Sequence, residues 1–163
     1  MEKLQKYHHS VSENGNLQLR IVTEYVKDGK VKDKKHSHPV TPADTKNMDG
    51  WDDKSKAIVE AITDEKVLVD FTIEKQEPTG IGLEEIVTHD RTLDELGRIS
   101  IRRITRIFDE GVEVSKKYHR SWIIPGQDPT GKDVISKAVA EKLHTPEVIA
   151  VYEAKIAELE AEK

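Results

Sequence analysis

The sequence predicts an α+β protein of two tandem β-β-β-α-α modules, each a three-stranded antiparallel meander followed by two helices, related by approximate twofold symmetry. Three observations predict it. First, residues 8–31, HHSVSENGNLQLRIVTEYVKDGKV, align without a gap on residues 90–113, DRTLDELGRISIRRITRIFDEGVE, at an offset of 97 − 15 = 82 set by Gly15 and Gly97. Such self-similarity is the mark of a repeated unit. Second, glycine recurs at both turns of each copy, Gly15 and Gly29 in one and Gly97 and Gly111 in the other. Third, strand-like alternation gives way in each copy to helical spacing.

In the first module the strands run Leu4 to Ser12, Asn16 to Lys27 and Lys30 to Val40, separated by ENG and KDG. Asn-Gly and Asp-Gly pairs tolerate the positive φ angles of tight hairpins. In the second they run Glu85 to Leu93, Arg98 to Phe108 and Val112 to Ile124. Leu17, Leu19, Ile21, Ile99 and Ile101 point to one side of the middle strands; Val22, Val26, Ile104 and Phe108 point to the other. Both sides are partly apolar, so we expect helices on one and a second sheet or a partner chain on part of the other, the modules meeting through sheet faces or helices.

DDKSKAIVEAI (52–62) and DVISKAVAEKL (133–143) have helical spacing. Here the repeat resumes at an offset of 81, pairing Asp52, Ser55, Lys56, Ala57 and Glu60 with Asp133, Ser136, Lys137, Ala138 and Glu141. HTPEVIAVYEAKIAELEAEK (144–163) reads as a second helix, capped by Thr145 with Pro146 in the first turn. Its counterpart, TDEKVLVDFTIEK (63–75), has a β-branched run that favours a strand, whereas the repeat implies a helix starting from Asp64. The helix is the reading taken. EPTGIG (77–82) is the joint, giving modules of about residues 1–78 and 79–163.

Of the 163 residues 36% are hydrophobic and 35% charged, which implies a modest core and a heavily solvated surface. The chain has no cysteine, so disulfides and thiolate chemistry are excluded. No stretch approaches the ~20 apolar residues of a membrane span, and the start has no apolar signal core, so cytosolic synthesis and no membrane partner are expected. A net charge of −5 argues against general nucleic-acid binding.

His36 and His38 alternate and would project two imidazoles to one face, a start for a Zn²⁺ or Ni²⁺ site. His8 and His9 could complete it only if the middle strand did not intervene. The second copy has a single His119 there, so solvent-facing histidines are the commoner reading and no metal is assigned. Lys27, Lys30, Lys32, Lys34 and Lys35 with Arg20, and Arg98, Arg102, Arg103, Arg106, Lys116, Lys117 and Arg120, make two basic sets. Some could grip phosphate, but charged strands more commonly guard sheet edges. The carboxylates show no spacing that selects a catalytic pair, and Ser10 and Ser121 form no nucleophile elbow with the histidines, so no catalytic residue and no cofactor are assigned. Tyr118 and Trp122 read as interface anchors, together with Arg102, Arg106, His119 and Arg120; Trp51 reads as a cover for the first helix.

The second half carries a strand-acidic-Gly-strand unit, then KKYHR, the PGQD turn and the closing HTPEVIAVY helix. Over about residues 98–155 these resemble small uncharacterised proteins of tailed bacteriophages. The first half matches faintly, with Pro42, Ala43 and Asp44 in place of the Pro-Gly-x-Asp turn. The resemblance implies a phage setting, in the virion or the host cytoplasm, and no known activity. The expectation is a non-enzymatic structural or assembly protein, tail- or virion-associated, that contacts other phage structural proteins or its own copies. The alternatives are an accessory protein binding nucleic acid through a basic sheet face and, third, a metal-dependent enzyme centred on His36 and His38.

Overall fold

A computed structural model describes residues 1–37, 40–41 and 48–163; for 40 and 41 it describes the backbone alone. The elements in chain order are β1 (Glu2–Val11), β2 (Leu17–Lys27), β3 (Lys30–Ser37), β4 (Val40–Thr41), α1 (Asp53–Thr63) and α2 (Glu65–Glu74). After the joint come β5 (Leu83–Leu93), β6 (Ile99–Asp109), β7 (Val112–Ile123), α3 (Val134–Leu143) and α4 (Pro146–Ala161). The protein is α+β, with one antiparallel sheet in the order β3-β2-β1-β5-β6-β7 and β4 beside β2. None of the described helices is long and apolar enough to cross a membrane.

The third strand of the first half forms over Lys30–Ser37, and Val40 and Thr41 pair with β2 in the same register, Gln18↔Val40 following Ile21↔Ser37; residues 38 and 39 of the expected strand lie outside the described residues. The halves meet through helices, as expected, α1 packing against α3, but the expected alternative of sheet faces needs correction. The strands of the two halves join edge to edge, β1 against β5, through the pairs His9↔Leu93, Ser10↔Thr92 and Val11↔Arg91. The first strand of each triplet has an edge that its own hairpin leaves unpaired, and over these three residues the two edges satisfy each other's backbone groups.

Local chemistry accounts for the elements. Asp28 and Gly29, with φ of 53° and 72°, make a two-residue hairpin turn with both residues left-handed, and Glu110 and Gly111 do the same at 47° and 81°. Asp52, Asp64, Asp133 and Thr145 cap the four helices through their side chains. The cap decides α2: Asp64 accepts from the amides of Lys66 and Val67, and the β-branched run then winds as a helix against its own strand propensity.

At the offset of 82 the strand registers coincide. His9↔Leu19 corresponds to Arg91↔Ile101, Ile21↔Ser37 to Arg103↔His119, and the bulge between Tyr25 and Val26 to the one between Ile107 and Phe108. The core lies between the sheet and α1 and α3, around Leu17, Ile58, Ile62, Ile99, Ile123, Ile135 and Val139, all nearly inaccessible. Met48, Trp51, Val67 and Phe71 pack at its margin. Val22, Ile86 and Ile104 are buried on the opposite, helix-free side of the sheet.

Candidate interaction face

That helix-free side carries the candidate site. Alternation along β7 sends Lys116, Tyr118, Arg120 and Trp122 to it, since Ile123 and Ser121 belong to the side facing α3. Tyr118 stays 56% exposed and Trp122 49%. They are four residues apart on one strand, about 13 Å at ~3.3 Å per residue. Cations lie on both rings: Arg98 sits 5.6 Å from the Trp122 centroid, Arg102 5.2 Å from Tyr118, and Lys116 5.7 Å from Tyr118. The result is an aromatic ridge whose rings are stiffened by guanidinium groups yet open to solvent.

Most cations beside the ridge are neutralised. Arg102 pairs with Asp90 across β5 and β6. Arg106 bonds both oxygens of Glu13, at 2.7 and 3.3 Å, and lies 3.5 Å from Glu113. The Arg106 guanidinium and the Thr88 hydroxyl hold the Glu13 carboxyl below its ordinary value despite partial burial. In the first half Glu24 takes Lys34 at 2.7 Å and Lys6 at 3.5 Å, which lowers its proton affinity. Arg120 has no carboxylate within ion-pair distance among the described residues and lines a polar groove of about 450 Å³ with Arg102, Asp90, Ser10, Gln18 and Ser100.

Five of the six residues expected from sequence, Arg102, Arg106, Tyr118, Arg120 and Trp122, therefore share this face. His119 does not. It points to the helix side opposite Arg103, because neighbours on a strand project to opposite faces. The metal expectation fares differently. His38 lies outside the described residues. β2 runs between β1 and β3, so His8 and His9 sit two strands from His36, whose Nδ1 is 3.2 Å from Arg20 Nη2. Among the described residues no group of three His, Asp or Glu side chains is placed to hold a metal.

A buried polar seam was not foreseen. Below the β1–β5 junction, His9 Nε2 is 2.7 Å from Ser55 Oγ, and Ser55 Oγ donates in turn to the N-cap carboxylate of Asp52. With that hydroxyl proton committed to Asp52, Nε2–H must donate to Ser55, which leaves Nδ1 a buried acceptor without a partner. A nucleophilic triad requires the reverse, a serine donating to Nε2 and a carboxylate holding Nδ1. Ser55 is also fully buried and His9 is 3% exposed, so this trio ties strand to helix and has no route to a substrate. In the other half the matching positions are Arg91, Ser136 and Asp133: Arg91 donates to Ser136 Oγ at 2.9 Å, to the Ser12 carbonyl at 3.2 Å, and to Asp133. Burial works against the Asp133 charge, yet Arg91 and the Ser136 hydroxyl and amide outweigh it and hold the carboxyl below its ordinary value. The repeat already paired Asp52 with Asp133 and Ser55 with Ser136 in the sequence; the substitution of His9 by Arg91 hid the strand partner.

No protein-family model matches the chain, and no curated protein or solved structure matches it significantly.

Proposed function

We propose that this is a non-enzymatic binding module, a phage structural or assembly component, that works through protein contacts made by the aromatic ridge of β7. One observation carries the reading: Tyr118 and Trp122 stand half exposed on a regular strand, with arginines laid across them. Large aromatics held in place lose little conformational freedom on binding and dominate interface energetics. The phage setting rests on the resemblance of residues 98–155.

We further read the chain as a duplicated module. The shared registers and bulge support this, as does the seam. Exchanging the halves at the offset of 82 turns the pair His9↔Leu93 into Arg91↔Val11 and leaves Ser10↔Thr92 unchanged, as a twofold axis through that central pair requires. A duplicated pair can diverge, and the ridge belongs to one half: the position of Tyr118 is His36 in the other.

Nucleic-acid binding by the same face is the second reading, favoured by base-stacking aromatics beside arginines. It is the weaker one because Arg102, Arg106, Lys34 and Lys6 already have carboxylate partners, and a phosphate would have to displace them. Trp122→Ala with Tyr118→Ala should leave the circular dichroism spectrum unchanged. The double change should weaken self-association or partner association by roughly 2 kcal/mol or more, about 30-fold in Kd, measured by sedimentation velocity. An unaltered assembly state would count against the protein-contact reading, and gel retardation that falls steeply with salt would favour nucleic acid in its place.

A further inference from the structure

We propose that the opposite face of β5, β6 and β7 carries an independent site, a notch that binds the phosphate group of a small phosphomonoester through His89, Arg103, His119 and Lys132. His89 lies directly across from Arg103, and Arg103 directly across from His119, so three cation-forming side chains stand in one row over three strands. Directly opposed residues have Cβ atoms about 5 Å apart, close enough to address one small ligand together. At the offset of 82 the same row is Tyr7, Ile21 and Ser37, which carries no charge. The row is therefore particular to the second half.

The loop before α3 closes one side of the notch. It brings Lys132 to 3.5 Å from Ser121 Oγ, and the notch, open to solvent, has a volume of about 410 Å³, room for a phosphate and a sugar-sized remainder. None of Arg103, His119 and Lys132 has a carboxylate within ion-pair distance among the described residues. Two carboxylates lie beside it: the buried Asp133, whose Oδ1 is held by Arg91 while its Oδ2 has no hydrogen-bond partner, and Glu74, which accepts the Val134 amide at 3.2 Å.

Two imidazoles, a guanidinium, an ammonium and a hydroxyl converge from three strands and a loop, which suits the three terminal oxygens of a monoester better than the two of a carboxylate. A nucleic-acid strand would have to run past the Glu74 carboxylate beside the notch, so a small ligand is the better fit. Burial lowers the proton affinity of His89, with Asp133 pulling the other way and Arg91 and Arg103 adding to the lowering; a bound anion would raise it. The site lies across the sheet from the aromatic ridge and does not depend on it.

Histidine ring resonances of the full chain, titrated with inorganic phosphate at constant ionic strength, test this. His89 and His119 should shift together and saturably, with His8 still. Arg103→Gln should weaken the response at least tenfold without changing the melting midpoint. Lys132→Gln, on a separate element, serves the same purpose should the first variant fold poorly. No saturable shift, or one that both variants leave intact, overturns the proposal. So does a tighter response to an oligothymidylate lacking terminal phosphates, which would assign the notch to a nucleic-acid backbone.

Discussion

Replacing Arg91 with methionine should lower the unfolding free energy by about 3–5 kcal/mol, the usual cost of removing one member of a buried ion pair. Both side chains of the Arg91–Asp133 pair are only 2% exposed, so the carboxylate left behind could not reach water. The loss would also strip the Ser12 carbonyl and Ser136 hydroxyl of a donor. The effect should be large for a second reason. The β1–β5 junction has only three residue pairs, so side chains beneath it must hold the two halves in one sheet. The second variant separates charge from packing: Asp133→Asn keeps an N-cap side chain but removes the charge. Arg91→Met with Asp133→Asn should therefore be more stable than Arg91→Met alone. Urea unfolding measures all three chains. A cost under about 1 kcal/mol for Arg91→Met, or a double variant whose cost is the sum of the singles, would show that the pair does not hold the seam.

Acidification should destabilise the protein in a window set by His9. Burial lowers the pKa of His9 to about 4, against the opposing pull of Asp52 and with Lys54 and His8 adding to the lowering. The partnerless Nδ1 explains the direction further, because a proton there finds no acceptor. The unfolded chain takes up that proton near pH 6.5 and the folded one only near pH 4. The unfolded state therefore binds the extra proton between these values. The His9 contribution is complete above about pH 6.5 and declines as pH falls, the total being on the order of 3 kcal/mol at ~1.4 kcal/mol per unit. Asp133, whose carboxyl is held below its ordinary value, adds a second loss at lower pH, once that carboxyl protonates. Urea midpoints should drop between pH 7 and pH 5 in the parent chain and change little in His9→Gln. Equal slopes in the two chains would remove His9 from the account.

Much of the fold was legible because the chain could be read twice. The β-branched run of α2 favours a strand by itself, and its alignment with α4 pointed to the helix that Asp64 caps. The edge-to-edge seam was not legible. A strand's side-chain pattern reports its faces, and nothing in it says which backbone edge finds a partner. His119 was within reach: four residues before the buried Ile123 it must share that residue's face, but adjacency to Tyr118 and Arg120 grouped it with the ridge. The His9 and Arg91 clusters remained hidden because both halves keep the serine and the aspartate on the helix while the strand residue changes from imidazole to guanidinium.

The claim that the β7 ridge makes a protein contact in phage assembly is tested most directly by quantitative mass spectrometry of purified particles and assembly intermediates. These would come from infections that supply either the parent chain or the Tyr118→Ala, Trp122→Ala chain. The account predicts the parent chain in fixed ratio to one or more structural proteins and its loss from that fraction in the double variant, at equal levels of soluble folded chain. Absence of the parent chain from particles and intermediates alike, or an undiminished amount of the double variant, would contradict it.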